Sequence, residues 1–392
     1  MTQCSLFCWT ALLSLVLSTN AIAYGNQVTD PKPDLNRNAA LKYWRGFANL
    51  PKLEKEEQDK IAREATTMVL TPRIKAVVTL SESSLHELYN GAAVPTCAWG
   101  LTREDGFSII IPEASAARLL HGLACLRARL RFEEGDNAGA LDDVFAGMTL
   151  ARHIGQDGTI VSVLVGFALE SMSTDVLAAY LPKLDRTSLQ TLPGRFGKLP
   201  AGGTVAGGLL VEENVFLVGF QNKIREFKDR DKLVEYLGLA LSEEPGESKK
   251  VQIARGKAYL EECGGTAESL VALAEEGRPY YESLAKKTTM PPSEFSKLMD
   301  GEMKRIKKNP VARVVFPALA RCQQLEARLL SRRAMLAAAI AIQVRGRESL
   351  DAHPDPYGNG PFAYQAFEAG YILQSKLQHQ DKPIALTVGK RD

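Results

Sequence analysis

The sequence has few aromatic residues and almost no excess of charge of either sign. Aromatic side chains make up 7% of the 392 residues, and the formal net charge is +2. A chain this close to neutrality has no field that would attract a polyanion, so a nucleic-acid partner is not expected. Hydrophobic residues, at 45%, are abundant enough to bury a sizeable core in one large or two ordinary domains.

The sequence also lacks the short motifs that usually reveal chemistry. It contains no H-E-x-x-H or C-x-x-C metal pattern and no serine in a G-x-S-x-G elbow. The glycine-rich stretch at residues 201–208 lacks the Gly-Lys-Ser/Thr ending of a phosphate-binding loop, which favours a linker or a close helix contact. No cofactor or metal is therefore expected.

The N-terminus has the pattern of a cleavable signal peptide. Residues 6–17 are apolar, and the small-x-small site Ala21-Ile22-Ala23 follows a short polar stretch. The apolar run is too short to span a bilayer, and no transmembrane segment is expected after cleavage. We therefore predict a signal peptide at 1–23, a linker at 24–36, and export to the periplasm, the cell envelope or the extracellular space.

Four cysteines remain after removal of the predicted signal peptide: Cys97, Cys125, Cys263 and Cys322. Disulfides persist in exported proteins, and these spacings match no zinc or redox motif. One or two structural disulfides, or inert buried thiols, are the interpretations left open. Proximity along the chain ranks Cys97–Cys125 first among the pairings.

Helical periodicity governs most of the chain and predicts an α-helical domain at 37–346. Proline and glycine breaks divide it into about ten to twelve helices, of which the one beginning at 113 and the next form an antiparallel hairpin around Gly135-Asp136. The segment at 159–181 is apolar on nearly every face and predicts a central buried helix. A second long helix is predicted at 311–344, and residues 107–111 are the one β-like run within the domain.

The character of the chain changes after residue 346. Residues 347–392 predict a loop, a β-hairpin turning at 368–370, and a flexible polar tail beyond residue 378. The predicted fold class is therefore all-α, a multi-helix array of antiparallel helical hairpins with a small C-terminal β-hairpin.

Several stretches of the chain resemble a family of uncharacterised exported helical proteins of planctomycete-type bacteria. They are Asn38-Ala-Ala-Leu-Lys-Tyr-Trp44, Cys97-Ala-Trp-Gly100, residues 128–136, and Ala151-Arg-His153. The segments 355–364 and 370–375 are similar to the tail of that family, which looks like the C-terminal hairpin of type II secretion pseudopilins. The resemblance implies a helical exported protein and attaches no activity to it. The N-terminus departs from the pseudopilin pattern, because it has no prepilin cleavage site.

One helical hairpin also resembles the inner half of a tetratricopeptide repeat. The residues that carry the resemblance are Leu130, Gly135, Asp136, Ala140 and Leu141. A stable solenoid needs at least three such units, and the sequence has one. The resemblance therefore implies a repeat-like hairpin within the helical array.

Glu170 is the sharpest single candidate, because it lies in the middle of the apolar helix at 159–181. A buried acid must be paired, hydrogen-bonded or protonated. The arginine-rich helix that begins at 113 offers Arg118, Arg127 and Arg129 as partners, and a structural ion pair with Arg118 or Arg129 is the favoured interpretation. A proton-transfer role is the alternative.

Three weaker candidates complete the set of catalytic interpretations. Glu213, beside Glu212, offers half of a paired-carboxylate hydrolase site, although a solvated or ion-paired acid explains it as well. His121 lies one helical turn from Cys125, a spacing compatible with a thiolate–imidazolium pair. His153 is a further histidine that would suit an acid–histidine site.

Asp351, His353 and Asp355 alternate along the chain and form the one candidate metal site. On extended backbone their side chains would point the same way, as a divalent ion requires. Ordinary turn chemistry explains aspartates beside proline and glycine equally well.

Together these patterns favour an exported helical scaffold or binding protein whose partner is another envelope protein or a peptide. Helical hairpins commonly present concave surfaces to partners, and no complete catalytic constellation accompanies them. A periplasmic hydrolase that uses buried carboxylates is the alternative. Association with a secretion system through the pseudopilin-like tail is the second alternative.

Overall fold

A computed structural model describes residues 37–100, 112–156, 158–242, 247–316 and 318–390. The predicted signal peptide, the predicted linker and the β-like run at 107–111 lie outside the described residues.

Sixteen α-helices and three short helices of other types fill most of the described chain. The α-helices are α1 (Ala39–Ala48), α2 (Lys55–Glu64), α3 (Pro72–Leu80), α4 (Glu82–Ala92), α5 (Pro112–Glu134), α6 (Asn137–Gln156), α7 (Ile160–Tyr180), α8 (Arg186–Gly197), α9 (Val205–Glu212), α10 (Val218–Glu226), α11 (Arg230–Ala240), α12 (Lys249–Glu262), α13 (Ala267–Lys287), α14 (Pro292–Ile306), α15 (Pro310–Val315) and α16 (Leu319–Arg345). Two 3₁₀ helices (Leu181–Lys183 and Arg347–Ala352) and a π-helix (Glu213–Leu217) connect some of them. The all-α prediction is confirmed.

The described chain has more helices than the sequence predicted, because some long periodic segments are broken. The segment at 311–344 is divided between α15 and α16. The sequence has a proline at position 317, and a helix usually ends at or before the residue that precedes a proline.

Helices α5 and α6 form the predicted antiparallel hairpin. Gly135 has a φ of +85°, a conformation that glycine adopts without a steric penalty, and it ends the first helix. The Asp136 carboxylate accepts a hydrogen bond from the backbone N–H of Gly139 at 2.9 Å, which satisfies a free donor in the first turn of α6.

The C-terminal segment is an antiparallel sheet of three strands in the order β1-β2-β3: β1 (Ala363–Phe367), β2 (Gly370–His379) and β3 (Lys382–Val388). The predicted hairpin is present, with its turn between Phe367 and Gly370. The flexible tail predicted beyond residue 378 is wrong, because β3 occupies that region. Its residues Ile384, Leu386 and Val388 alternate along the strand and are buried.

The buried apolar side chains form two clusters. The first core is built from α1 to α8, the C-terminal half of α16 and the sheet. The second core is built from α9 to α15 and the N-terminal half of α16, and it also includes Val163 and Phe167 of α7. Each core follows from the apolar stripes of its helices, which must be covered by a neighbour.

Two long helices contribute to both cores. On α7, Val163 and Phe167 face the second core, whereas Val165 and Leu169 face the first. Among the described residues, 160–183 is the one segment with the length and hydropathy of a membrane span, and 61% of its apolar window is buried in the protein. A central core helix has the same properties, and this is how α7 is used here.

Candidate functional site

An open groove lies between α4, α6 and α8, with a volume of about 800 Å³. Tyr89 of α4 and Arg131 of α5 lie on one side, and Arg195 of α8 lies on the other. The remaining lining residues are Ala92, Gly139, Asp142, Phe145, Ala146, Thr149, Thr191, Gly194, Lys198 and Leu199. The volume falls in the range of about 300–1,000 Å³ that is typical of ligand-binding sites.

Arg195 crosses the groove toward α6. Its Nη1 donates a hydrogen bond to Asp142 Oδ1 at 2.7 Å, and its guanidinium carbon lies 5.6 Å from the centre of the Phe145 ring. Phe145 in turn meets Phe196 edge to face, with ring centres 5.0 Å apart. These contacts hold a cation and an aromatic surface at the groove wall.

Beneath the groove, the fully buried Asp143 carboxylate organises a polar network. Arg127 donates to it from Nε and Nη2, the shortest contact being 2.6 Å, and Arg131 Nη1 donates to Oδ2 at 2.9 Å. The Tyr89 hydroxyl donates to Oδ1 at 2.6 Å, and Arg127 also reaches Glu82 at 2.7 Å. This network fixes two groove-lining side chains, Tyr89 and Arg131, in place.

Sequence reasoning missed the groove and the network beneath it. Arg127 was considered only as a partner of Glu170, and Asp143 was not singled out. A signal was present, because Asp143 lies between Leu141 and Val144 on the apolar face of α6 and therefore requires a partner. The lining residues of α8 carry no comparable signal.

Glu170 is 3% exposed and is held by two arginines at the junction of α6, α7 and α16. Arg333 donates from Nε and Nη2, both at 2.6 Å, and Arg152 donates from Nε and Nη2, both at 3.2 Å. Although burial opposes ionisation, the two guanidinium groups keep the pKa of Glu170 below its usual value. Only about 10 Å³ of free space lies beside it, too little for a substrate.

The predicted partners of Glu170 are not the observed ones. Arg118 is exposed on α5, and Arg129 Nη1 donates instead to the Ala65 carbonyl at 2.6 Å. The partners come from the next hairpin helix and from a helix 163 residues along the chain, a pairing that helical periodicity does not encode.

His121 and Cys125 are adjacent but do not form an activated pair. Cys125 Sγ lies 3.6 Å from His121 Nδ1, and His121 Nε2 lies 2.8 Å from Ser173 Oγ. Burial lowers the pKa of His121 to about 4 and raises the pKa of the Cys125 thiol. Both groups are therefore neutral near pH 7, which is opposite to what a thiolate–imidazolium nucleophile requires.

His153 belongs to a buried aromatic cluster at the start of the helical domain. Its Nδ1 lies 2.8 Å from the Tyr43 hydroxyl, and its carbonyl accepts from Trp99 Nε1 at 2.9 Å. Tyr43 and Trp99 stack with ring centres 5.7 Å apart. Burial lowers the pKa of His153 to about 4, so it packs as a neutral core side chain.

The predicted disulfides are not present. Cys97, Cys125, Cys263 and Cys322 are all buried thiols. Cys97 and Cys125 belong to the first core, whereas Cys263 and Cys322 belong to the second. Proximity along the chain misled the ranking, because a disulfide requires β-carbons within about 4.5 Å and the cysteines are buried as separate apolar residues.

The acids of α9 and its π-helical extension are engaged separately. Glu213 is paired with Arg278 at 3.2 Å. Glu212 accepts a hydrogen bond from the backbone N–H of Ile160 at 3.1 Å, and Glu326 accepts one from Val205 at 3.1 Å. In the described part of the chain neither Glu212 nor Glu326 has a cation within 4 Å, and burial raises the pKa of each to about 7.

The three residues of the candidate metal site have different surroundings. Asp355 is buried and accepts from Ser375 Oγ at 2.8 Å and from the backbone N–H groups of Lys376 and Tyr357. His353 Nε2 lies 3.4 Å from an arginine nitrogen, and Asp351 is exposed. Asp355 thus ties the loop after α16 to β2. No group of three or more potential metal ligands occurs among the described residues.

Comparison with known proteins adds no relative. No family model matches the chain, and neither the curated proteins nor the solved structures searched give a significant match. The geometry of the groove and of the buried groups therefore carries the functional argument.

Proposed function

We propose that the protein is an exported binding protein that holds a polypeptide partner in the groove between α4, α6 and α8. The observation that carries the proposal is the groove itself, about 800 Å³ of open space lined by fixed aromatic and cationic side chains. Aromatic residues and arginine are the side chains that dominate the energetics of protein interfaces. The predicted signal peptide at 1–23 supports export.

The buried acids support binding over hydrolysis. A carboxylate hydrolase needs two acids that converge on a substrate-sized space. Glu170 is enclosed by two arginines, and Glu213 is paired with Arg278. The groove, in contrast, offers space, and Asp142 is the one acid among its described lining residues.

Two glycines of α8 provide a matched test. Gly194 lines the groove and Gly197 does not, and a Cβ added at either position meets no atom within 4 Å. Gly194→Trp should fill the groove without disturbing the fold, whereas Gly197→Trp should leave the groove open.

The measurement is cross-linked co-purification from the cell envelope of cells that produce the protein naturally, followed by mass spectrometry. We expect a stoichiometric partner that is retained by the wild type and by Gly197→Trp and lost from Gly194→Trp. Retention by both variants, or no partner on the wild type, would overturn the proposal.

A further inference from the structure

The groove has an excess of positive charge that the chain as a whole lacks. Its described lining residues include three cations, Arg131, Arg195 and Lys198, and a single anion, Asp142. The formal net charge of the full sequence is only +2, so this excess is a local property of the groove. Like-signed charge in a cleft attracts ligands of the opposite sign.

The cations of α8 retain the capacity to bind a ligand. Arg195 makes one hydrogen bond to Asp142, and a guanidinium has five N–H donors. Asp142 is 55% exposed, and such solvated pairs contribute little. A ligand carboxylate can therefore join or replace Asp142. Lys198 lies three residues further on the same helical face, where it can bind a second anionic group.

The two sides of the groove differ in the work their cations already do. Arg131 is engaged by Asp143, by the Tyr89 hydroxyl and by the Gly139 carbonyl. It is 28% exposed and shapes the wall. The binding charge is therefore concentrated on the α8 side, around Arg195.

Apolar surface accompanies this charge. Phe145, Ala146 and Leu199 lie beside the cations, and Ala92 lies on the α4 side. An inorganic anion would leave that apolar surface in water, and a wholly apolar ligand would desolvate the cations without compensation. The groove is also open, whereas small-molecule sites usually bury most of their ligand.

We infer that the occupant of the groove is an acidic stretch of polypeptide with interspersed apolar side chains, whose carboxylates bind Arg195 and Lys198. This inference rests on the proposed function and specifies the chemistry of the partner. The carboxylates supply specificity and association rate, and the apolar side chains supply buried area.

Fluorescence anisotropy with three short labelled peptides tests this inference on the mature chain. The peptides share the same leucine positions and differ in the intervening residues, which are glutamate, serine or lysine. We expect the glutamate peptide to bind at least about tenfold more tightly than the serine peptide, with an affinity that falls as salt is added. The lysine peptide should bind most weakly.

Variants locate the binding. Arg195→Glu should weaken the glutamate peptide by about tenfold or more, and Gly194→Trp should abolish its binding. Gly197→Trp should bind as the wild type does. Lys223→Glu is the charge control, because this lysine is exposed on α10, outside the groove. A similar loss in Lys223→Glu would mean that net charge alone is responsible, which overturns the inference.

The outcomes separate this inference from the proposed function. Equal or tighter binding of the serine or lysine peptide, lost in Gly194→Trp, would refute the acidic partner and leave the binding groove in place. Displacement of the glutamate peptide by free glutamate or phosphate at comparable concentration would show a site for small anions, which also refutes it. Binding of none of the peptides counts against the acidic partner, while co-purification with Gly194→Trp decides the proposed function independently.

Discussion

The two cores treat buried charge in different ways. In the first core, Asp143 is surrounded by Arg127, Arg131 and the Tyr89 hydroxyl, so every charge has a counter-charge or a donor. At the edge of the second core, Glu212 and Glu326 each accept one backbone hydrogen bond and have no cation within 4 Å among the described residues. The number of partners, rather than burial itself, separates the two cases.

This difference determines how each region responds to substitution and to pH. A matched ion pair contributes little net stability, but the loss of one partner leaves a buried charge uncompensated. An unmatched buried acid instead takes up a proton, and its cost appears only at pH values where it ionises. The first core should therefore be sensitive to mutation, and the second core to pH.

The largest effect is expected from Asp143→Asn in the first core. The substitution preserves shape and removes the charge that compensates Arg127 and Arg131. We expect a loss of about 3–5 kcal/mol in the free energy of unfolding, measured by urea denaturation. Asp142→Asn, at the exposed neighbouring position, should change stability by less than about 1 kcal/mol. Equal effects would remove the distinction between the two aspartates.

Glu170→Gln should have the next largest effect, because it leaves Arg152 and Arg333 without a counter-charge. Both arginines are partly exposed, so the expected loss is smaller, about 2 kcal/mol in urea denaturation. Asp175→Asn is the matched control, because Asp175 joins the same two helices, α7 and α16, through Arg332 and is half exposed. A larger loss in the control than in Glu170→Gln would contradict the role assigned to the buried acid.

Glu212→Gln should stabilise the protein at alkaline pH. The folded-state pKa of about 7 lies above the usual value of 4.5, so the stability associated with the protonated acid is lost as pH rises between these values. We expect thermal denaturation at about pH 8 to show a gain of about 1–3 kcal/mol for the variant and, at about pH 4, almost no difference.

Glu213→Gln is the control for that comparison. Glu213 is paired with Arg278, so its replacement should destabilise the protein at about pH 8 rather than stabilise it. A gain in both variants would show that the cation does not distinguish these two neighbouring acids.

Thiol labelling should reveal the smallest difference, one of local opening rather than of total stability. Cys125 lies in the first core, and Cys263 and Cys322 lie in the second. At about pH 8 the ionised Glu212 and Glu326 weaken the second core, so its two cysteines should react first with a thiol reagent followed by mass spectrometry. Equal rates at Cys125 and Cys322 would mean that both regions open as a single unit.

Local patterns in the sequence predicted those parts of the fold that depend on neighbouring residues. Helical periodicity located α7, and Gly135-Asp136 located the hairpin of α5 and α6. The flexible tail was mispredicted although Ile384, Leu386 and Val388 alternate, because charged and polar residues flank the strand and conceal the period of two. The disulfides failed for another reason, since proximity in the sequence does not measure distance in space.

The candidate site depends on contacts between distant segments, and this is why so little of it was predicted. A buried acid such as Glu170 announces that it needs a partner, but the choice of Arg333 over Arg129 depends on how α16 crosses α7. The groove is further removed from sequence patterns, because Tyr89, Arg131 and Arg195 come from three helices and line a shared space only after those helices pack.

The order of the elements along the chain has a consequence for synthesis. The described first core combines helices that precede residue 200 with the end of α16 and the strands at 363–388, whereas nearly all of the second core comes from residues 205–329. A nascent chain thus has the residues of the second core before it has those that finish the first. Contacts between distant segments form slowly. The last strand to leave the ribosome therefore closes the core that the first helices began, and premature termination would leave that earlier part without its cover.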